Sequence, residues 1–75
     1  MDLELLLQKA LESMSLSKRS PASREANLKK AISLFSQILE IDNKQGNVYR
    51  YRGAVYSGLS QFEEALADFN KAVEL

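Results

Sequence analysis

The sequence predicts an all-α fold: one domain over residues 1–75, built from two stacked antiparallel helical hairpins. Apolar residues recur three or four positions apart, and no segment alternates apolar and polar residues as a strand would. Short polar segments separate these helical patterns, and short joints make neighbouring helices antiparallel. The chain also resembles itself at an offset of 34 residues, with Ala31 falling on Ala65 and Phe35 on Phe69. Such a period indicates repeated supersecondary units that stack to bury their apolar faces.

The first predicted helix covers the N-terminal segment. Its apolar residues lie at helical spacing, with charged and amide side chains on another face, which is the pattern of an amphipathic helix. The apolar set is Leu3, Leu6, Leu7, Ala10 and Met14. Residues 15–20 carry no apolar period, so we expect a loop there.

The second helix is predicted to begin between Pro21 and Asn27 and to end near Ile41. Ser20 followed by Pro21 is typical of a helix start, because serine caps the first turn and proline fits the first helical position. The helical stripe is carried by Ala26, Leu28, Ala31, Ile32, Leu34, Phe35, Ile38, Leu39 and Ile41.

A turn is predicted over residues 42–46, followed by a third helix that ends near Gly58. Ser60 and Glu63 have the spacing of a capping box, which predicts the start of a fourth helix. We expect that helix to bury the residues of its apolar face, which are Phe62, Ala65, Leu66, Phe69, Ala72 and Val73.

Composition excludes several kinds of site. The chain has no cysteine and no histidine, which excludes a zinc site of the Cys/His type, a histidine base and a cysteine nucleophile. No glycine-rich phosphate loop is present, and the acid pairs lie at a helix start and at a helix end. We therefore expect no enzyme, no catalytic residue, no metal site and no cofactor.

Charge is balanced overall but unevenly placed. Ten basic residues offset ten acidic ones, whereas residues 18–52 carry a net charge of +5 and both ends are acidic. The pattern is typical of solvated helix faces; the alternative is a basic middle that prefers an acidic partner. A basic patch of Lys18, Arg19, Arg24, Lys29 and Lys30 has no interleaved aromatic residue, so we expect no nucleic-acid partner.

No segment is apolar for long enough to span a bilayer, and the N-terminus lacks the basic region of a secretory signal. We therefore expect a soluble cytoplasmic protein without a membrane partner.

The second hairpin carries a recognisable motif. Tyr49-x-x-Arg52-Gly53-x-x-Tyr56, followed by Ala65-x-x-x-Phe69, resembles the tetratricopeptide repeat (TPR), W-x-x-L-G-x-x-Y with a later A-x-x-x-F. The resemblance implies a fragment of an α-α superhelix. Residues 46–75 form a regular repeat, and residues 1–42 form an atypical one with an inserted loop at about 15–23.

Arg52 and Gly53 of the motif each carry a specific expectation. Arg52 stands where the pattern has leucine, and we expect its stem to cover apolar surface while the guanidinium reaches water. Gly53 is small where two helices must approach closely. The residue with the same role in the first repeat is predicted to be Ala10 or Leu11.

The resemblance implies a non-catalytic scaffold module that binds a partner protein or peptide in a groove. In the family the first helix of each hairpin lines this groove, and the corresponding positions here are Asn47, Arg50, Tyr51, Ala54 and Ser57. Arg50 and Tyr51 are the preferred contacts, since arginine matches carboxylates and tyrosine offers rigid contact area. The alternative is that Arg50 is a solvated charge and Tyr51 a packing residue.

Three further expectations concern partners. One subclass of the family grips the C-terminal carboxylate of chaperones with an asparagine where this chain has Tyr51, so we predict no such clamp. A face of the last hairpin that includes Tyr56 and Val73 is expected to be open, which predicts a homodimer as the alternative function. The same open face is expected if the chain is a fragment of a longer array.

Overall fold

The computed structural model describes residues 2–75 and contains four α-helices, with no strand in that range. α1 packs against α2, α3 packs against α4, and α2 joins the two pairs by packing against α3. The predicted all-α fold of two helical hairpins is confirmed. The helices are α1, Leu3–Arg19; α2, Arg24–Ile41; α3, Gly46–Gly58; and α4, Phe62–Glu74.

α1 is longer than the sequence pattern predicted. Its buried stripe starts with Leu6 and Ala10 and continues through Ser13 and Ser17, again at steps of three and four residues. The Ser17 hydroxyl donates a hydrogen bond of 2.6 Å to the carbonyl of Met14, so this polar side chain is satisfied inside the helix. The loop predicted at about residues 15–23 is therefore wrong for most of its length, because small serines continue the buried face without an apolar signal.

The joint between α1 and α2 is a single 3-10 turn, Pro21–Ser23. α2 then begins at Arg24, inside the predicted interval, and ends at Ile41 as predicted. Ser20 occupies the N-cap position of this turn and Pro21 its first position, as predicted, but Ser20 makes no side-chain capping bond.

The core is centred on α2, which lies between α1 and α3. Its inward face buries Leu28, Ala31, Phe35, Ile38 and Leu39. Opposite them Ala10 of α1 is completely buried, whereas Leu11 is half-buried. A residue without bulk at the buried position lets two helices approach closely, which favours Ala10 over Leu11 as the counterpart of Gly53.

The predicted turn joins α2 to α3, although Gly46 already belongs to α3, and its own side chains hold it. The Asp42 carboxylate accepts hydrogen bonds from the backbone N–H of Lys44 at 3.1 Å and from the side-chain amide of Gln45 at 2.9 Å. These bonds favour the ionised form and lower the pKa of Asp42. The Tyr49 hydroxyl donates to the carbonyl of Asn43 at 3.0 Å, which fixes α3 against the turn.

α3 ends in a Schellman motif. The N–H of Gln61 donates to the carbonyl of Tyr56 at 2.9 Å, and the N–H of Ser60 donates to that of Ser57 at 3.0 Å. Ser60 takes the left-handed position with φ of 61°. The residue that precedes α4 is Gln61, without a side-chain capping bond, so the predicted capping box at Ser60 is wrong.

α3 and α4 cross closely at Gly53. A Cβ atom at this position would lie 2.9 Å from the nearest ring atom of Phe69, closer than carbon atoms pack. The glycine is thus required by the aromatic ring opposite it, and Ala65 supplies a second small residue in the buried face of α4.

Most of the apolar face predicted for the interior of α4 is exposed. Ala65 is buried and Ala72 half-buried, but Phe62 is 64%, Leu66 61% and Val73 86% exposed. The expectation that these side chains are buried is wrong because α4 packs closely only against α3, which covers one side of the helix.

Candidate protein-binding surfaces

Four of the five residues predicted to face a groove share an exposed face of α3. Asn47, Arg50, Ala54 and Ser57 are exposed and follow one another at steps of three and four residues, so they lie on one side of the helix. No hydrogen bond or ion pair holds the Arg50 side chain within residues 2–75.

The fifth residue, Tyr51, belongs partly to the core. Its ring stacks on that of Phe35 with centroids 5.8 Å apart and an angle of 14° between the planes. Tyr51 is half-buried, so it acts as a packing residue with one edge toward solvent. The interpretation of Tyr51 as a packing residue therefore agrees with the position of its ring. The four exposed residues of α3 remain a candidate contact surface.

Two clefts lie where α1 and α3 flank α2, one at each end of these helices, and we call the line that joins the two clefts the α1–α3 seam. The first lies at the N-terminal ends of the two helices and is lined by Leu3, Glu4, Leu7, Ile38, Gln45 and Val48. The second lies at their C-terminal ends and is lined by Met14, Ser17, Lys18, Arg24, Leu28, Ala54, Val55 and Gly58. Both have an apolar floor, but the only charged residue in the first lining is an acid and both charged residues in the second are basic.

Arg24 is fixed at the second cleft by a bond to the other hairpin. Its Nη2 donates to the carbonyl of Gly58 at 2.9 Å, at the C-terminal end of α3. A positive charge at this end of a helix is favourable, because the carbonyl dipoles make it partly negative. The sequence places Arg24 in a basic patch but does not reveal this contact, which depends on how the two hairpins pack.

Arg52 makes a different set of contacts from the one predicted. Its Nε and Nη2 donate to the two oxygens of Asp68 at 2.7 and 2.8 Å, and its Nη1 donates to the hydroxyl of Ser36 at 3.1 Å. The guanidinium also lies 5.7 Å from the ring centroids of both Tyr49 and Tyr56. The expectation of a guanidinium that reaches water missed this pairing: α4 places a buried carboxylate beside Arg52, whose side chain stays 20% exposed.

The Arg52–Asp68 pair links α2, α3 and α4, and its role is structural. Bidentate pairing with the carboxylate favours the charged guanidinium and raises the pKa of Arg52. Asp68 is 5% exposed. A hint was present in the sequence, since Asp68 lies three residues after Ala65 and so shares its buried face of α4.

The exposed face of α4 forms a second candidate surface, which we call the α4 stripe. It consists of Phe62, Leu66, Phe69 and Val73, spaced four, three and four residues apart, so the side chains form one line along the helix. The 86% exposure of Val73 confirms that this residue is open, whereas Tyr56, predicted to belong to the same face, is half-buried.

Within residues 2–75 no helix is both long and apolar enough to cross a membrane. The same residues contain no cluster of three or more carboxylate, histidine or cysteine side chains that could hold a metal ion.

Comparison with known proteins finds similarity over part of the chain. Sperm-associated antigen 1 of Homo sapiens is 41% identical over 51 residues, which are 68% of this chain and 6% of that protein. Its counterpart in Rattus norvegicus is 38% identical over 52 residues, 69% of this chain and again 6% of the relative. The chain thus spans a small fraction of the length of these relatives. No family model and no solved structure matches it.

Proposed function

We propose that this chain is a TPR-like module that binds a partner protein through the side of α3 that faces the seam with α1. The observation that carries the proposal is the exposed row of Asn47, Arg50, Ala54 and Ser57 on α3. Ala54 also lines the second cleft, so the row borders that cleft. Rigid helices hold these side chains at fixed spacing, which suits recognition of an extended segment.

The proposed module is non-catalytic. Its exposed row offers an amide, a guanidinium, a methyl group and a hydroxyl, but no base close to a nucleophile. Two acidic side chains have structural partners: Asp42 holds the turn, and Asp68 pairs with Arg52. Binding is the function that these groups can perform.

Affinity capture with a charge-reversal variant tests the proposal. The variant is Arg50→Glu, and the matched control is Lys30→Glu, which makes the same charge change on the exposed side of α2. We expect Arg50→Glu to reduce recovery of specifically bound proteins at least about threefold, because arginine is favoured at binding hot spots, while Lys30→Glu leaves it unchanged. Equal recovery with both variants would refute the role of this surface.

Self-association through the α4 stripe is the second candidate function, and one specific observation favours it. The spacing of the stripe reads the same in both directions, so two copies of α4 packed antiparallel are self-complementary. Phe62 of one copy then lies opposite Val73 of the other, and Leu66 lies opposite Phe69. Such a two-fold contact pairs large residues with smaller ones and covers apolar surface that is otherwise in water.

The oligomeric state tests this second candidate. Val73 is 86% exposed, so Val73→Glu leaves the fold intact and places a charge in the contact. Ala67→Glu is the control, because Ala67 is exposed on the same helix but lies outside the stripe. By sedimentation at several concentrations we expect the unchanged chain and Ala67→Glu to dimerise and Val73→Glu to stay monomeric. A monomeric unchanged chain at the highest concentration would exclude the dimer.

A further inference from the structure

The two clefts along the α1–α3 seam differ in charge while sharing an apolar floor. The cleft at the N-terminal ends contains Glu4 beside Leu3 and Leu7. The cleft at the C-terminal ends contains Lys18 and Arg24 beside the side chains of Met14, Leu28 and Val55. A segment lying along the seam would meet a negative charge at one end and two positive charges at the other.

Both basic groups of the second cleft are available to a carboxylate. Neither Lys18 nor Arg24 forms an ion pair with an acidic side chain of residues 2–75. Arg24 uses one N–H on the Gly58 carbonyl, and a guanidinium has several more N–H donors in its planar fork. That bond also holds the Arg24 side chain in place, which lowers the entropy lost when a ligand binds.

The cleft has room for an apolar side chain as well as a charge. Gly58 has no Cβ, and one added there would lie 3.4 Å from Arg24 Nη2 and 3.6 Å from a methyl of Leu28. Ala54, four residues before Gly58 on α3, is also small and exposed. These two small residues leave the floor formed by Leu28 and Val55 open from the side of α3.

We propose that the cleft at the C-terminal ends of α1 and α3 binds an acidic segment of a protein partner in extended conformation. An apolar side chain of the partner lies on the floor of the cleft, and an adjacent aspartate or glutamate side chain pairs with Lys18 and Arg24. This inference rests on the proposed function, for which it specifies the chemistry of the partner.

The seam also sets the length and polarity of the segment. Fourteen positions separate Glu4 from Lys18, which is about 21 Å along a helix at 1.5 Å per residue. An extended chain covers that distance in roughly six residues. A basic residue of the partner near Glu4 and acidic residues near Lys18 are therefore separated by about six positions.

The test uses a defined peptide in place of the partner. The probe is acetyl-Lys-Ala-Ala-Ala-Leu-Glu-Glu-amide, whose blocked ends confine negative charge to side chains, and the comparison peptide has glutamine in place of both glutamates. Binding is followed by amide chemical shifts of the isotopically labelled 75-residue chain. We expect saturable shifts at Met14, Ala54 and Gly58, and affinity at least about tenfold weaker for the glutamine peptide.

Two variants place the contact. Lys18→Glu is expected to weaken binding of the glutamate peptide about tenfold, and Lys30→Glu is its charge-matched control on the exposed side of α2. Ala54→Phe keeps both cations but fills the cleft, so it should also weaken binding even if Lys18→Glu alters the end of α1. The amide spectrum of each variant reports whether it is folded.

Several outcomes would overturn the inference: no saturable shift at these residues, equal affinity for the two peptides, or equal effects of Lys18→Glu and Lys30→Glu. Binding that depends on Arg50 but not on Lys18 would overturn it and leave the proposed function standing. Failure of the proposed function is recognised separately, by protein capture that is insensitive to Arg50→Glu.

Discussion

The two hairpins carry the same pattern but bury it to different extents. Phe35 of α2 and Phe69 of α4 are equivalent by the repeat offset, yet Phe35 is completely buried and Phe69 is 36% exposed. The difference comes from neighbours, since α2 packs against both α1 and α3 while α4 packs closely only against α3. An apolar stripe therefore marks a surface that can be buried. Whether it is buried depends on how many neighbouring helices pack against it.

The largest expected effect compares the two phenylalanines. Phe35→Ala removes a fully buried ring and should lower the free energy of unfolding by about 3–5 kcal/mol. Phe69→Ala removes a partly exposed ring and should cost about 1–2 kcal/mol, because less apolar area returns to water. Urea unfolding followed by helical circular dichroism measures both.

The outcome bears on the second candidate function. If Phe69→Ala costs as much as Phe35→Ala at high protein concentration but not after dilution, the α4 stripe is covered by a second copy. Equal costs at every concentration would contradict the difference in burial between the hairpins.

The second comparison concerns the buried ion pair. Asp68 falls on Leu34 at the repeat offset, so the first hairpin has an apolar residue where the second has a charge. Asp68→Ala leaves Arg52 without its carboxylate and should cost about 2–4 kcal/mol. The double variant Arg52→Leu/Asp68→Leu imitates the first hairpin at position 68 and places leucine at position 52, where the resembling repeat pattern has it.

We expect that double variant to be within about 1 kcal/mol of the unchanged chain, because an apolar pair avoids the desolvation of both charges. Thermal and urea unfolding of the single and double variants form the test. A double variant as unstable as Asp68→Ala would mean that the pair, with the Ser36 bond and the two tyrosine rings, contributes more than apolar packing can replace.

A third comparison is between Gly53 and Ala10, the close-approach residues of the two hairpins. Alanine is a better helix former than glycine by about 1 kcal/mol, but a Cβ at Gly53 would lie 2.9 Å from the Phe69 ring. Overpacking costs about 1–3 kcal/mol, so Gly53→Ala should be destabilising by about 1 kcal/mol in total.

Removing the ring should reverse the sign of that effect. In a Phe69→Ala background the atoms that the added Cβ would meet are gone, and Gly53→Ala should then stabilise the chain by up to about 1 kcal/mol. The four chains of this double-mutant cycle are compared by urea unfolding. Additive effects would show that the Phe69 ring is not what requires a glycine at this position.

Sequence reasoning predicted the helices well where apolar residues form the buried stripe, as in α2. It failed at α1 beyond Met14, because Ser13 and Ser17 continue the buried face with residues that are also common in loops. It failed at Arg52 because the partner, Asp68, is distant in sequence and is identified only when α3 and α4 pack. Local pattern thus predicts elements, whereas pairings between elements depend on tertiary packing.

The candidate surface was predictable to a similar extent. The helical period was enough to place Asn47, Arg50, Ala54 and Ser57 on one exposed side of α3. The stacking of Tyr51 on Phe35 was not, because it depends on the angle between α2 and α3. The cleft with Lys18 and Arg24 depends on the extra length of α1 and on the Arg24–Gly58 bond between the hairpins.

The smallest expected effect compares the joints within the two hairpins. The α3–α4 joint needs a left-handed residue and has Ser60, with φ of 61°, where glycine is usual. Left-handed backbone costs a residue with a side chain about 1–2 kcal/mol, so Ser60→Gly should stabilise the chain by about 0.5–1 kcal/mol after the entropy of glycine is subtracted.

Ser20 at the α1–α2 joint is extended, with φ of −129°, so Ser20→Gly gains no such relief and should be slightly destabilising. Shifts in the unfolding midpoint measure both substitutions. Because neither serine makes a side-chain capping bond to the helix that follows, stability changes of opposite sign would reflect backbone conformation alone. Equal signs would mean that the two joints are not distinguished by the conformation of these serines.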